Sequence, residues 1–289
     1  MLRFLALLTL LAPPALAQSF DVGPFASFDL ASEAILGDPH DLAIGPDGRL
    51  YVADKLKARI AVFDPETLEF IEELGAGFLP AVRDISFGPN GEVAVAVTGA
   101  SAVALYESLD ALRAPPDIGV RAPGTEGALY HSSGRIYAMA SGLGALVAFE
   151  DLQPLNGIEG HLGAHDVAEA PDGTIWIGDN RMRRLVRYSQ DLERLQVIDA
   201  DKFGLVGPRY MDFTETGFLV VADQDMHRIL LIDPEGPDGG TFLGVLGDGT
   251  PGIGPNKFDD PEGVAVSGNR YYISDSDNNR IVRYSVFLN

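Results

Sequence analysis

Six ionisable residues recur along the chain in a fixed order. His40, Arg83, Glu126, His165, Arg209 and Glu262 each stand at the start of a short apolar run, and the series His, Arg, Glu is read twice. Their neighbours repeat with them. His40-Asp41-Leu42-Ala43 matches His165-Asp166-Val167-Ala168, Arg83-Asp84-Ile85-Ser86-Phe87 matches Arg209-Tyr210-Met211-Asp212-Phe213, and Glu126-Gly127-Ala128 matches Glu262-Gly263-Val264. Duplication of a three-part unit accounts for this order. Imidazole and carboxylate together suit zinc or another divalent ion, while a guanidinium fork suits a ligand carboxylate. The same six groups can instead pair among themselves, two arginines against two glutamates, as a charge-balanced plug. Either reading requires residues far apart in sequence to converge.

Repetition is what would bring them together. A turn ending in glycine recurs at Gly48, Gly91, Gly134, Gly173, Gly217 and Gly268, and around each glycine lie short alternating apolar runs with polar turns between them. Six repeats of about 40 residues and roughly four strands predict an all-β, six-bladed β-propeller, each repeat one blade around a central channel. Residues 25–30 alternate apolar and polar, and the sixth repeat ends without a fourth strand. The N-terminal strand is therefore expected to complete the last blade and close the ring. On strand order, the start of each first strand and the turn between strands two and three share one face, the top. The six ionisable groups then ring the channel mouth there, with Arg83, Arg209, Glu126 and Glu262 as candidate ligand-binding residues and His40 and His165 as candidate metal ligands.

Three pieces of the sequence resemble the NHL repeat family: Pro261-Glu262-Gly263-Val264-Ala265-Val266, Asp172-Gly173-Thr174-Ile175-Trp176-Ile177-Gly178-Asp179 and Asn279-Arg280-Ile281. The resemblance covers residues 25–289 and implies four-stranded NHL blades. Residues 165–179 further look like a blade of the peptidyl-hydroxyglycine amidating lyases, propellers that bind zinc through histidines at this strand position. That implies His40 and His165 as metal ligands, supplemented by Glu126, Glu262 or water, and it raises Tyr210 as an acid-base group; a tyrosine beside a strand entrance otherwise packs.

Other polar patterns read as structure. Asp and Arg five residues apart, as in Asp54 and Arg59, Asp179 and Arg184, Asp223 and Arg228, and Asp275 and Arg280, suggest a brace across the top turn; aligned by spacing, blades two and three carry Thr98 with Val103 and Ser141 with Leu146 instead. His131 and His227 are expected to be solvated turn residues, and His161 is a weaker candidate for the mouth. The stretch 247–252 fits a Gly-x-Gly-x-x-Gly pattern but contains proline and leads to another strand, so it is a loop and no phosphate cradle.

Composition narrows the partners. A formal charge of -21 opposes the phosphate neutralisation that nucleic-acid binding needs. The chain has no cysteine, which excludes disulfides and thiol chemistry. Residues 1–17 combine Arg3, an apolar run and an Ala-Leu-Ala end, the pattern of a signal peptide cleaved after Ala17. A secreted or periplasmic location, no membrane insertion after cleavage, and a single monomeric propeller spanning residues 18–289 are expected. Its first expected function is a binding scaffold for a protein, peptide or small ligand at the top-face mouth. The alternative is a divalent-metal-assisted lyase or hydrolase using the His/Glu ring.

Overall fold

The structure, a computed structural model, describes residues 25–288; the expected signal peptide lies outside the described residues. Six four-stranded antiparallel sheets follow one another. Five take their strands consecutively, as blade one does with Pro39–Ile44, Leu50–Asp54, Arg59–Phe63 and Phe70–Leu74. The sixth takes Pro261–Ser267, Arg270–Asp275 and Arg280–Val286 from the end of the chain and Ala26–Ala31 from its beginning. First strands touch first strands of neighbouring blades around a common axis. This is the six-bladed propeller with the closure that the sequence predicts.

Apolar side chains on both faces of the inner strands account for the ring. Each blade is too thin to bury its faces alone, and the core is accordingly divided into six clusters, one between each pair of neighbouring blades. The cluster joining blades six and one holds Leu42, Val52, Ala265 and Tyr272, so the ring has no weak seam. The six repeat-marking glycines all have positive φ, from 58° at Gly268 to 90° at Gly91, which explains why glycine is kept at that one point of the hairpin.

The closing strand pairs from Ala26 opposite Val286 to Ala31 opposite Val282, with one irregularity between Phe28 and Leu30. Phe28 packs edge-on to Tyr284 at 5.8 Å between ring centres, and Arg283 donates to Asp29 at 3.1 Å. Ser32 then accepts the Ile281 N–H at 2.9 Å.

The expected Asp–Arg brace is present in four blades. Arg59, Arg184, Arg228 and Arg280 donate Nε–H to Asp54, Asp179, Asp223 and Asp275 at 2.8, 3.0, 2.8 and 2.7 Å. Each aspartate also caps backbone N–H groups of a top loop, for example Gly37 and Gly207, both at 2.7 Å. In blades two and three the spacing alignment is one residue off: the paired positions are Val97 with Ala102 and Ala140 with Ala145. An apolar pair replaces the ion pair there. His131 also departs from expectation. It is fully buried, because the neighbouring blade closes over it: Nδ1 meets Ser133 Oγ at 2.8 Å and Nε2 meets the Gly173 carbonyl at 3.2 Å. His227 is half-buried and accepts the Asp260 N–H at 3.2 Å, so its turn is tied to the next blade instead of solvated.

Candidate functional site

Each member of the ring stands second in its inner strand or immediately before it, where the chain enters the channel from the top. Glycine follows both glutamates because a Cβ at Gly127 or Gly263 would collide with the backbone carbonyl oxygen of His165 or His40 in the next blade. That close approach seats each glutamate beside the next histidine. His165 Nε2 lies 3.0 Å from Glu126 Oε2, and His40 Nδ1 lies against Glu262 Oε2. Arg83 donates to Glu126 at 3.0 Å and Arg209 to Glu262 at 3.2 Å. Arg83 Nη1 is also 3.5 Å from His40 Nδ1. All six expected residues are thus brought to one ring, with the internal twofold relation intact.

The two halves differ in cover. His40 and Glu262 are buried under Asp38, Gln224 and Asp260, whereas Arg83, Glu126, His165 and Arg209 remain partly exposed. Burial works to raise the Glu126 carboxyl, but the hydrogen bond and charge of His165 and the charges of Arg83 and Arg209 hold it down to about 2. Burial, and then the Arg209 charge, push the His165 imidazole below its usual value in spite of Glu126, so it is neutral at pH 7. Three buried nitrogens of the ring find no hydrogen-bond partner: His40 Nε2, Arg83 Nε and His165 Nδ1.

Tyr210 fills the axis beneath the ring. Fully buried, it comes from blade five, donates its hydroxyl to the Glu126 carbonyl in blade three at 3.0 Å, and sets its ring edge-on to His40 of blade one at 6.3 Å. Burial, then the Glu126 charge, push that phenol well above its usual range. His161 is not at the mouth. It extends the blade-four brace, 3.2 Å from Asp179 and 2.8 Å from the Tyr188 hydroxyl.

Two features were not foreseen. Asp38, in the loop before blade one, brings Oδ1 within 3.5 Å of His40 Nε2 and accepts from Lys55 at 2.6 Å. Below the ring, Asp41, Asp84, Asp166 and Asp212 line a channel cavity of about 320 Å³ that runs toward the bottom face between Ile44, Phe87, Tyr130 and Glu169. Three of these carboxylates serve the next blade, accepting the N–H of Ala128, Met211 and Val266 at 2.6, 2.7 and 2.7 Å. Burial pushes Asp84 up to about 7 and Asp212 up to about 6; Asp41 and Asp166 are raised further by burial together with the Asp84 charge. The sequence carries a partial signal: an aspartate follows both ring histidines and Arg83, while Asp212 stands three residues after Arg209.

The NHL repeat family matches residues 36–63 and 258–284, in blades one and six. Each matched segment has the length of about one repeat. No curated protein matches this chain. Among solved structures it is similar to virginiamycin B lyase from Staphylococcus aureus, with 12% identity, 91% of this chain and 100% of that chain covered, and a TM-score of 0.64. It is also similar to the PQQ-bound aldose sugar dehydrogenase from Streptomyces coelicolor (15%, 95% and 100%, 0.64) and to a Bacteroides thetaiotaomicron protein of unknown function (13%, 93% and 74%, 0.68). At such identities the likeness shows the fold alone. Among the described residues, no helix is long and apolar enough to cross a membrane.

Proposed function

We propose that this protein is a binding scaffold that docks a protein or peptide partner on its top face. One observation carries the reading. Leu56, Phe78, Leu143, Leu162, Met182 and Ile253 are large exposed apolar residues, and all six belong to top-face turns and loops, surrounding the charged ring. Leu56 and Ile253 are 72% and 71% exposed. The bottom-face turns carry few such residues: Leu152 is one, and Phe287 lies beside them. Apolar loop tips around a polar centre are the composition of a recognition surface, with rigid blades holding the tips in place. A secreted or periplasmic setting, from the leader-like residues 1–17, fits a partner met outside the cytoplasm. The test is a Leu56→Asp/Met182→Asp variant. It should melt with the wild type, because exposed substitutions cost within about 0.5 kcal/mol, and should lose the proteins that the wild type retains from a periplasmic extract. Equal retention by both proteins overturns the reading.

A metal-assisted lyase or hydrolase is the second reading, favoured by a specific cluster. Asp38, His40 and Glu262 offer ligand atoms that all lie within 4.8 Å of one another. The donor set fits a divalent ion: His40 is buried with Asp38 Oδ1 3.5 Å from its Nε2 and Glu262 against its Nδ1, and no cation other than Lys55 and His40 itself approaches Asp38 among the described residues. His165 belongs to the opposite half of the ring, with Glu126, and Asp38 takes its place as third donor. A bound ion would supply a Lewis acid there. Elemental analysis of protein purified without chelator, beside His40→Ala, decides this reading: about one divalent ion per chain, lost in the variant, supports it, and metal-free wild type refutes it.

A further inference from the structure

Arg83 and Arg209 are equivalents in the internal repeat, and each gives one amino group to a glutamate of the next blade. They differ at the other edge of the guanidinium. Arg209 donates Nε–H to Gln224 Oε1, and Gln224 reaches on to Asp260 at 2.6 Å and Glu262 at 3.4 Å. Arg83 Nε is buried without a hydrogen-bond partner, and Nη2 has none among the described residues.

The cause lies in one side chain. Val97 pairs with Val82 as Asp223 pairs with Pro208, and a short 3-10 turn follows in both blades, Thr98–Ala100 and Gln224–Met226. Thr98 therefore stands where Gln224 stands. Its hydroxyl donates to the Thr125 carbonyl at 2.6 Å and leaves Arg83 unanswered. The edge left over, Nε with Nη2, is the one with which Arg184 and Arg228 grip their aspartates in this same protein.

We infer that this free edge of Arg83 is the seat of a carboxylate carried by the ligand that docks on the top face. The inference rests on the top-face binding reading and names the group that anchors there. In the Arg184 and Arg228 pairs both N–H groups converge on one carboxylate oxygen, and a carboxylate also offers the second, coplanar oxygen that a parallel two-bond fit uses. Glu126 meets Arg83 at Nη1, away from that edge, through an oxygen that also faces His165 and Arg209. The Arg83 side chain is 17% exposed, and the loop leading to its strand carries the exposed Phe78.

The Nε–H resonance of Arg83 in ¹⁵N-labelled protein tests this directly, titrated with acetate, with N-acetylleucine and with N-acetylleucine amide at constant ionic strength. Both acids should shift the signal saturably and the amide should not. Thr98→Gln, which recreates the blade-five arrangement, and Arg83→Lys, which keeps the charge without the fork, should each weaken acid binding by about tenfold or more, the loss of a charge-assisted hydrogen bond. Tighter binding of N-acetylleucine than of acetate assigns the carboxylate to a peptide chain, and equal binding to a free small acid. A signal indifferent to both acids or equally moved by the amide, or acid binding that the backbone amide resonances of the mouth show to be unweakened in Arg83→Lys, overturns the inference. If that happens while Leu56→Asp/Met182→Asp still loses the retained partner, the docking reading stands and the anchor alone is wrong.

Discussion

Glu126 Oε2 lies 3.0 Å from Arg83 Nη1 and 3.0 Å from His165 Nε2, so one carboxylate oxygen joins two blades that flank its own. Arg209 approaches the same oxygen at 3.9 Å. Glu126→Gln removes the negative charge and leaves two guanidinium groups facing each other across a partly covered mouth. Breaking one partner of such a network costs about 3–5 kcal/mol when fully buried, and about 1–3 here because the group keeps some solvent. The folded carboxyl sits near 2, below its unfolded value, so its contribution is present above the unfolded value and is lost as pH falls through about 2. The variant should therefore melt earlier at pH 7, and its deficit should shrink in acid. Thermal midpoints from pH 7 to pH 2 check both; an unchanged midpoint at pH 7 would mean the ring is not a stabilising element.

The aspartates below the ring act with the opposite sign. Asp212 is held up to about 6 and Asp84 up to about 7, chiefly by burial, so each prefers its proton in the folded chain. Their contribution is greatest at low pH and declines as pH rises from the unfolded carboxyl value through 6 to 7. Asp212→Asn retains an acceptor for the Val266 N–H and removes the charge. It should raise stability at pH 8 by about 1–2 kcal/mol, a value discounted because the cavity admits solvent, and the gain should vanish near pH 4. Chemical denaturation at the two pH values measures it, and a variant equally stable or less stable at pH 8 contradicts the assignment.

Removal of residues up to Ser32 deletes the outer strand of the last blade, the Phe28–Tyr284 contact and the Asp29–Arg283 pair. It also exposes an unpaired strand Arg280–Val286. A loss of several kcal/mol corresponds to a fall in midpoint on the order of 10 °C for a chain of this size. A midpoint within a degree or two of the full chain would show that the ring closes without this strand.

Much of this was legible because repetition prints the fold in the sequence. The turn glycines locate every blade, and the His, Arg, Glu series survives because each type answers a neighbour in the next blade. Legibility failed where a blade lacks its polar signature. In blades two and three, Val97 with Ala102 and Ala140 with Ala145 replace the brace, and nothing polar remains to fix the register. His131 looked exposed because its turn is polar, yet burial there comes from the adjacent blade, a contact 42 residues away. Asp38 escaped notice for a similar reason. Its approach to His40 depends on a left-handed backbone at φ 56° just before Pro39, which no spacing rule reveals.

The closing strand has a bearing on how the molecule is made. Ser27 pairs with Ser285, partners separated by almost the whole length of the chain. A growing polypeptide can stack blades one after another, but the strand synthesised early must wait for one synthesised late before the sixth sheet exists. Such a high sequence separation slows the final step and leaves the sixth blade one strand short, with the edge of its third strand bare, in the interval. Birth of the native ring is thus a single terminal event, and until it occurs the unclosed ring is the species that a chaperone or protease would meet.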